Sequence, residues 1–309
     1  MNSYLPEGKL LLTEYNQSYL SSPAGLQKAM DTGQILEAQA VRCDAAHNLL
    51  VDLNGVPGII PREEAALGIE DGSTREIAIL SRVGKLVSFT VESLDFSGQT
   101  PEVLLSRKRA QQMALRHLMK TLLPGMIIPA KVTHIEPFGV FVDIGCGVNS
   151  MISIENISVS RISHPNQRFA FGDDIYAAVL NADPATGRVM LTHRELLGTW
   201  AENAAQFFPG ETVSGVVHGV KDYGIFVELT PNLSGLAEPG SGFEDGDHIS
   251  VYIKSILPEQ SKVKLLIIDK IMSPVRRPPL DYFLTGGRIC HWIYRPARAG
   301  KPAVETGFY

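Results

Sequence analysis

Apolar and polar positions alternate most regularly in the middle of the chain, within residues 125–194. Such alternation, interrupted by turn residues, is typical of half-buried β-strands. Phe138 and Phe141 flank a Gly-Val pair in this pattern and need not enter a core. In a small barrel, exposed aromatic rings beside a few cations form a platform on which unpaired bases stack. The apolar positions of the pattern are Val132, Ile135, Val140, Val142 and Ile144.

The segment before this region is also rich in short apolar runs. Residues 33–106 carry such runs between turns at Asn54-Gly55 and Pro57-Gly58, which predicts a first all-β domain. Residues 1–32 are interpreted as an N-terminal lead-in with one short helix that ends at Gly33.

Residues 107–123 show helical rather than strand spacing of their apolar positions, and Pro124-Gly125 ends the pattern. This predicts a basic linker helix between two β domains. A second linker helix is predicted for residues 195–208. The cations of the first helix are candidate contacts with RNA or the ribosome, although a merely solvated face explains them equally well. They are Arg107, Lys108, Arg109, Arg116 and Lys120.

An internal repeat follows the second helix. Four glycine and aromatic positions recur 85 residues later, which chance rarely produces. The pairs are Gly125 and Gly210, Phe138 and Tyr223, Gly139 and Gly224, and Phe141 and Phe226. Residues 209–270 are therefore predicted to repeat the domain of residues 124–194. Residues 271–309 carry six Lys/Arg, two acids and frequent prolines, which predicts a basic, extended and partly disordered tail.

The repeated unit resembles the S1 RNA-binding domain. It shares an aromatic-Gly-hydrophobic-Phe turn, a Gly-rich turn and a later Asp…Gly-Arg hairpin with that family. Tandem copies joined by short basic helices are similar to the family of bacterial small-subunit ribosomal protein S1. The resemblance covers about residues 33–270 and implies three tandem five-stranded OB-fold barrels, joined by short helices, that bind single-stranded RNA on one face.

In the central copy, the resemblance assigns RNA-binding roles to matching positions. Phe138 and Phe141 match the stacking aromatics, and Asp183 and Arg188 match the hairpin pair that contacts RNA. Ser153 stands where the family often has a histidine. Two purely structural alternatives remain open. The two Phe rings could be core residues, and Asp183 and Arg188 could form a simple salt bridge within the hairpin. From the residues alone, Lys131 is a further candidate cation.

The other two copies match less completely. In the third copy, Tyr223 and Phe226 match the aromatics and Lys262 takes the Arg place. Its His place falls on Glu238 and its Asp place on Pro258 or Glu259, and residues 209–269 hold nine acids against four Lys/Arg. In the first copy, the aromatic places fall on His47 and Leu50, so most of the platform is missing.

Composition narrows the functional classes. A formal net charge of −5 argues against a protein whose whole surface coats duplex nucleic acid. Cys43, Cys146 and Cys290 lie far apart, so neither a disulfide framework nor a metal site is expected. No signal sequence or long apolar run is evident, which predicts a cytoplasmic protein without a membrane span. No P-loop, nucleophile-elbow or zinc-protease motif occurs, so we expect neither an enzyme nor a cofactor.

These features favour a non-catalytic protein of the translation machinery that binds single-stranded mRNA near the 30S ribosomal subunit and contacts ribosomal proteins. Two alternatives remain open. One is a protein–protein adaptor, suggested by the acidic third copy and the incomplete first copy. The other is an accessory factor of RNA decay or regulation that uses the same RNA-binding site with other partners.

Overall fold

The computed structural model describes residues 4–98, 101–272, 280–298 and 302–309, and no helix among them is long and apolar enough to cross a membrane. Three closed five-stranded β-barrels follow one another along the chain, with short helices between them. This architecture confirms the predicted mainly β fold of tandem OB-type barrels. Barrels 1, 2 and 3 follow in chain order.

Barrel 1 is preceded by two helices and contains a third. The helices are α1 (Glu14–Leu20), α2 (Pro23–Thr32) and α3 (Ile77–Leu80). The strands are β1 (Leu36–Cys43), β2 (Leu49–Leu53), β3 (Val56–Ile60), β4 (Leu86–Asp95) and β5 (Glu102–Ser106). A 3-10 turn at Arg62–Glu64 follows β3.

Barrels 2 and 3 repeat the strand order of barrel 1. In all three, the third strand in sequence pairs in parallel with the fifth, and the fourth closes the barrel against the first. Barrel 2 consists of β6 (Ile127–Glu136), β7 (Gly139–Asp143), β8 (Asn149–Ser153), β9 (Asp174–Asp183) and β10 (Arg188–Thr192). Barrel 3 consists of β11 (Thr212–Lys221), β12 (Gly224–Thr230), β13 (Leu233–Ala237), β14 (His248–Leu257) and β15 (Lys262–Lys270).

Helix α4 (Arg107–Thr121) joins barrel 1 to barrel 2. It begins after Ser106, whose Oγ accepts a hydrogen bond from the Arg109 N–H at 2.9 Å and so satisfies an otherwise unpaired amide. Ala110, Ala114 and Leu118 recur every four residues and lie buried in the apolar cluster of barrel 2. The linker helix thus rests on barrel 2 along one face.

The N-terminal segment lies between barrels 1 and 2 and buries the first residue of α4. The Arg107 guanidinium is 3% exposed and donates to the two carboxylate oxygens of Glu7 at 2.7 and 3.1 Å. The Glu7 N–H in turn donates to Asp143 Oδ2 at 2.6 Å. Burial by itself would raise the pKa of Glu7, but Arg107 and Arg82 lower it below its ordinary value. The structure therefore removes Arg107 from the predicted RNA contacts, because its charge is buried and paired.

The connection between barrels 2 and 3 is not the continuous helix that the sequence predicts. A 3-10 turn at Arg194–Leu197 ends at Gly198, whose φ of 81° reverses the chain. Helix α5 (Trp200–Ala204) then starts with a capping box between Thr199 and Glu202. The single helix predicted for residues 195–208 is therefore two short pieces. The remaining 3-10 turns of the described chain are Ile154–Asn156, Pro165–Gln167 and Pro258–Gln260.

The structure corrects the prediction of an extended C-terminal tail. Strands β16 (His291–Arg295) and β17 (Val304–Gly307) form an antiparallel hairpin. The aromatic side chains of Trp292, Tyr294 and Phe308 are buried in the apolar cluster of barrel 3. These rings have a packing role that composition could not reveal. Residues 273–279 and 299–301 of the predicted tail, and residues 1–3 of the lead-in, lie outside the described residues.

Candidate nucleic-acid interface

Phe138 and Phe141 lie on the outer face of barrel 2. The barrel interior is filled instead by Val140 and Val142, which are completely buried. Phe138 is 55% exposed and Phe141 is half-buried. Their ring centroids lie 6.1 Å apart, with the ring planes at 90°. Phe141 lies on β7 and Phe138 lies in the turn that precedes it. Two rings held in this way present apolar surface to a ligand at little cost in side-chain entropy.

Gly139 determines where this aromatic pair stands. A Cβ at this position would lie 2.5 Å from the carbonyl oxygen of Ile152 on β8, so no larger residue fits without moving the strands. The Phe138 carbonyl accepts a hydrogen bond from the Ile154 N–H at 3.0 Å, which ties the turn to the end of β8. The aromatic-Gly motif thus combines an outward ring with a close approach of two backbones.

Three side chains that the sequence analysis missed extend the aromatic surface across neighbouring strands. His134 pairs with Phe141 across β6 and β7, and their ring centroids are 6.3 Å apart. Met151 pairs with Phe141 on the other side, and Met190 on β10 pairs with Met151. Met190 is largely exposed. Strand alternation marks these positions as outward-facing, but only the strand register shows that they adjoin Phe141.

Asp183 and Arg188 stand at the two ends of the hairpin between β9 and β10. The carboxylate of Asp183 accepts hydrogen bonds from the Ala185 N–H at 2.9 Å and from Thr186 Oγ1 at 2.7 Å, and these bonds lower its pKa. Within the described ranges, the exposed guanidinium of Arg188 forms no ion pair, with Asp183 or any other acid. Asp183 therefore shapes the turn, and Arg188 keeps its donors available for an anion such as phosphate.

Two other predicted residues of barrel 2 play smaller parts. Ser153 is half-buried on β8 opposite Gly139, and its Oγ accepts a hydrogen bond from Asn156 Nδ2 at 3.1 Å. Lys131 Nζ donates to the Glu7 carbonyl at 3.2 Å, at the junction with barrel 1. The ammonium of Lys131 is thus turned toward the N-terminal segment and away from the aromatic pair.

The cations of α4 other than Arg107 divide into paired and unpaired groups. Lys108 lies 2.7 Å from Glu70, and Arg109 lies 2.7 Å from Glu92. Arg116 and Lys120 are exposed and have no ion-pair partner among the described residues. A Cβ on Gly187 would lie 3.3 Å from Leu115 of α4. The helix therefore runs beside the hairpin that carries Arg188, which adds positive charge to that side of barrel 2.

Barrel 3 repeats the aromatic geometry but not its surroundings. Tyr223 is 66% exposed and Phe226 is half-buried, and their ring centroids lie 6.1 Å apart with the planes at 89°. Across the strands, Leu236 pairs with Phe226 and Lys264 pairs with Leu236. Lys262 is exposed at the start of β15. Barrel 3 thus keeps both rings and carries two lysines where barrel 2 has Arg188 and Met190.

The corresponding face of barrel 1 is aliphatic. Leu50 pairs with Ile59 on β3, and Ile59 pairs with Leu104 on β5, in the same register as the apolar stripe of barrel 2. Ile59 and Leu104 are exposed. His47 lies 3.0 Å from Glu76 and is engaged there. Barrel 1 therefore offers no aromatic platform for bases.

Among the described residues, no three His, Cys, Asp or Glu side chains converge to hold a metal ion. What the outer face of barrel 2 can supply is ring stacking, apolar contact and a guanidinium. These groups match the requirements of unpaired bases and backbone phosphates.

Comparison with known proteins agrees with this geometry. Residues 122–194, which contain barrel 2, match the family model described as the S1 RNA binding domain. Small ribosomal subunit protein bS1 of Staphylococcus aureus (strain COL) is 29% identical over 282 residues, which cover 86% of this chain and 68% of that protein. The bS1 protein of Leuconostoc lactis is 28% identical over 249 residues, which cover 75% of this chain and 56% of that protein.

Among solved structures, a multidomain protein with nucleic acid binding domains from Streptococcus pneumoniae TIGR4 is 15% identical and covers 79% of this chain and 76% of that chain, with a TM-score of 0.27. The sequence comparisons confirm the predicted resemblance to the S1 family. The chain is similar to bS1 over most of its length, and its central barrel matches the S1 domain itself.

Proposed function

We propose that this chain is a non-catalytic, single-stranded RNA-binding protein of the translation machinery. It would hold unstructured mRNA near the small ribosomal subunit in the cytoplasm, with barrel 2 as its main binding surface. The bS1 relatives support the ribosomal context, and the S1 domain match supports RNA as the ligand. The single observation that carries the proposal is the exposed ring of Phe138 beside half-buried Phe141, on the same barrel as the unpaired guanidinium of Arg188.

The chemistry of this surface suits RNA of no particular sequence. Every base has a π-face, so stacking on Phe138 is indifferent to base identity and contributes about 1–3 kcal/mol per base. Arg188 adds a phosphate contact, which raises affinity without selecting a sequence. One such barrel binds modestly, and linked barrels raise the effective concentration of the next contact.

Fluorescence anisotropy with a short, unstructured, labelled RNA tests this site. Phe138→Ala is expected to weaken binding by about 5- to 150-fold, the equivalent of one lost stacking contact. Phe208→Ala removes a ring that is 63% exposed but lies outside the platform, and it should leave the affinity unchanged. If Phe138→Ala combined with Arg188→Ala binds RNA as tightly as the parent protein, the site is wrongly assigned.

A second candidate function, as a protein–protein adaptor, is favoured by the exposed aliphatic face of barrel 1 around Ile59 and Leu104. Sedimentation with purified 30S subunits distinguishes the two functions. Association that survives nuclease treatment of unbound RNA and is lost in Leu104→Glu would favour the adaptor. Association that depends on Phe138 instead would favour RNA binding. Absence of any association with 30S subunits, with RNA affinity intact, would favour an accessory role in RNA decay or regulation.

A further inference from the structure

A cavity lies against barrel 3, on the side that carries Phe226. The cavity has a volume of about 530 Å³ and opens beside Phe226. Its walls come from three parts of the chain: barrel 3 itself, residues 159–161 of the segment between β8 and β9 of barrel 2, and strand β16 with Tyr294 and Arg295. Trp200, at the start of α5, also lines it. The volume falls within the range of about 300–1,000 Å³ in which small ligands are enclosed.

The walls of this cavity are fixed by contacts between distant residues. Tyr294 Oη donates to the Asn232 carbonyl at 2.6 Å, which docks the C-terminal hairpin on barrel 3. Arg298 Nη2 donates to the Pro258 carbonyl at 2.8 Å, which ties the segment after β16 to the turn before Lys262. His218 Nδ1 lies 2.7 Å from the Arg161 carbonyl and holds that segment in place. The cavity is therefore part of the folded structure and needs no rearrangement to form.

The charge of the cavity differs from the charge of barrel 3. Residues 209–269 hold nine acids and four Lys/Arg, yet the cavity is lined by Arg161, Lys221 and Arg295, with Asp245 as the acid that faces them. Arg161 and Lys221 are exposed and have no ion-pair partner within the described part of the chain. Arg295 donates to one backbone carbonyl, that of Pro302, at 3.2 Å. Two of the three cations thus come from outside the barrel whose own surface is acidic.

We propose that this cavity binds one nucleotide of a single RNA strand. Phe226 provides the face on which the base stacks, and the guanidinium groups of Arg161 and Arg295 bind the adjoining phosphate. This inference rests on the proposed RNA-binding function, and it assigns the C-terminal hairpin a part in that function. It also explains how an acid-rich barrel can bind a polyanion, since the positive charge is supplied by its neighbours.

Tryptophan fluorescence tests the proposal, because the chain has two tryptophans and one of them lines the cavity. Trp292→Phe leaves Trp200 as the sole indole, in a background that also carries Phe138→Ala and Arg188→Ala to disable barrel 2. We expect single-stranded hexa-adenylate RNA and adenosine monophosphate to change the emission of Trp200 saturably. If Trp292→Phe does not fold, the difference between the parent and Trp200→Phe isolates the same signal.

Two matched charge variants complete the experiment. Arg161→Ala should weaken hexanucleotide binding about tenfold or more, as expected for the loss of a charged hydrogen bond to phosphate. Lys254→Ala also removes one exposed cation from barrel 3, but from outside the cavity where it pairs with Glu238, and should have no effect. Equal weakening by both variants would overturn the proposal, since it would show a diffuse charge effect.

The remaining outcomes separate this inference from the proposed function. If the parent protein binds RNA by anisotropy while Trp200 emission stays constant, the cavity proposal fails and barrel 2 remains the RNA site. If adenosine monophosphate binds and the hexanucleotide does not, the cavity accepts a free nucleotide and the assignment to an RNA strand is overturned. If neither anisotropy nor Trp200 emission responds to RNA, the proposed function itself fails.

Discussion

His193 is a buried, neutral histidine that should make the stability of this protein depend on pH. It is completely buried between barrel 2 and the C-terminal segment. Its Nδ1 lies 2.8 Å from the Ile157 carbonyl and its Nε2 lies 3.0 Å from the Tyr282 hydroxyl. Because a carbonyl can only accept, Nδ1 carries the proton and Nε2 accepts from Tyr282. Protonation of Nε2 would place a positive charge in this buried site and would require the Tyr282 hydroxyl to turn and accept.

Burial lowers the pKa of His193 from its ordinary value of 6.5 to about 4, and the positive charge of Arg168 acts in the same direction. Between these two values the unfolded chain binds a proton that the folded protein excludes. The contribution of neutral His193 to stability is therefore fully present above about pH 6.5 and is lost as the pH drops toward 4. The whole pKa shift corresponds to about 3 kcal/mol of the free energy of unfolding. About 2 kcal/mol of this contribution is lost between pH 7 and pH 5.

The assay is urea denaturation at pH 7 and pH 5 for the parent protein and His193→Gln. Glutamine can donate to the Ile157 carbonyl and accept from Tyr282, but it does not titrate. All other titrating groups are common to both proteins and cancel in the comparison. We expect the parent to lose about 2 kcal/mol more than His193→Gln between the two pH values. Equal losses in both proteins would refute the argument.

Further predictions concern the barrel junctions and the RNA site. Glu7→Ala removes the carboxylate that pairs with the buried guanidinium of Arg107 and should lower the free energy of unfolding, measured by urea denaturation, by about 3–5 kcal/mol. Glu92→Ala removes the exposed ion pair with Arg109 and should lower it by less than about 1 kcal/mol. Gly125→Ala and Gly210→Ala strain similar backbones with φ of 83° and 97°, at about 1–2 kcal/mol. In Gly125→Ala the new Cβ would lie 1.8 Å from the Ile289 carbonyl oxygen of the C-terminal segment. In Gly210→Ala the nearest atom would be 4.0 Å from the new Cβ. Gly125→Ala should therefore destabilise more and expose the hairpin to proteolysis; equal costs would contradict this. Arg188→Ala should reduce the slope of log affinity against log salt for RNA by about 0.7, and an unchanged slope would exclude a phosphate contact there.

The aromatic-Gly motif shows how much of the candidate site is predictable from sequence. An outward position was the favoured prediction for both rings, because Phe141 alternates with Val140 and Val142 and Phe138 lies in the turn before β7. The 85-residue offset carried the same prediction to Tyr223 and Phe226, whose ring geometry matches that of the first pair almost to the degree. Local alternation predicts the outward position of Phe141 and Phe226, and the turn before the strand accounts for that of Phe138 and Tyr223.

His134, Met151 and Met190 show where such prediction ends. Each is an unremarkable outward position in its own strand, and each becomes part of the platform only through strand pairing across the barrel. Arg107 is the opposite case. It belongs to a run of cations typical of a nucleic-acid contact, yet Glu7, one hundred positions earlier, neutralises it inside the protein.

The sequence by itself determined the mainly β character of the chain and the repeat of the domain of residues 124–194 in residues 209–270. Both follow from short-range alternation and from a constant repeat spacing, which need no knowledge of distant residues, whereas the expectation of three OB-type barrels came from the resemblance to the S1 family. Only the tertiary structure decided that the aromatic C-terminal residues pack as a core, and that Arg161 and Arg295 face the same cavity on barrel 3. Contacts between residues far apart in the chain create burial and local charge, and no pattern along the chain records such contacts.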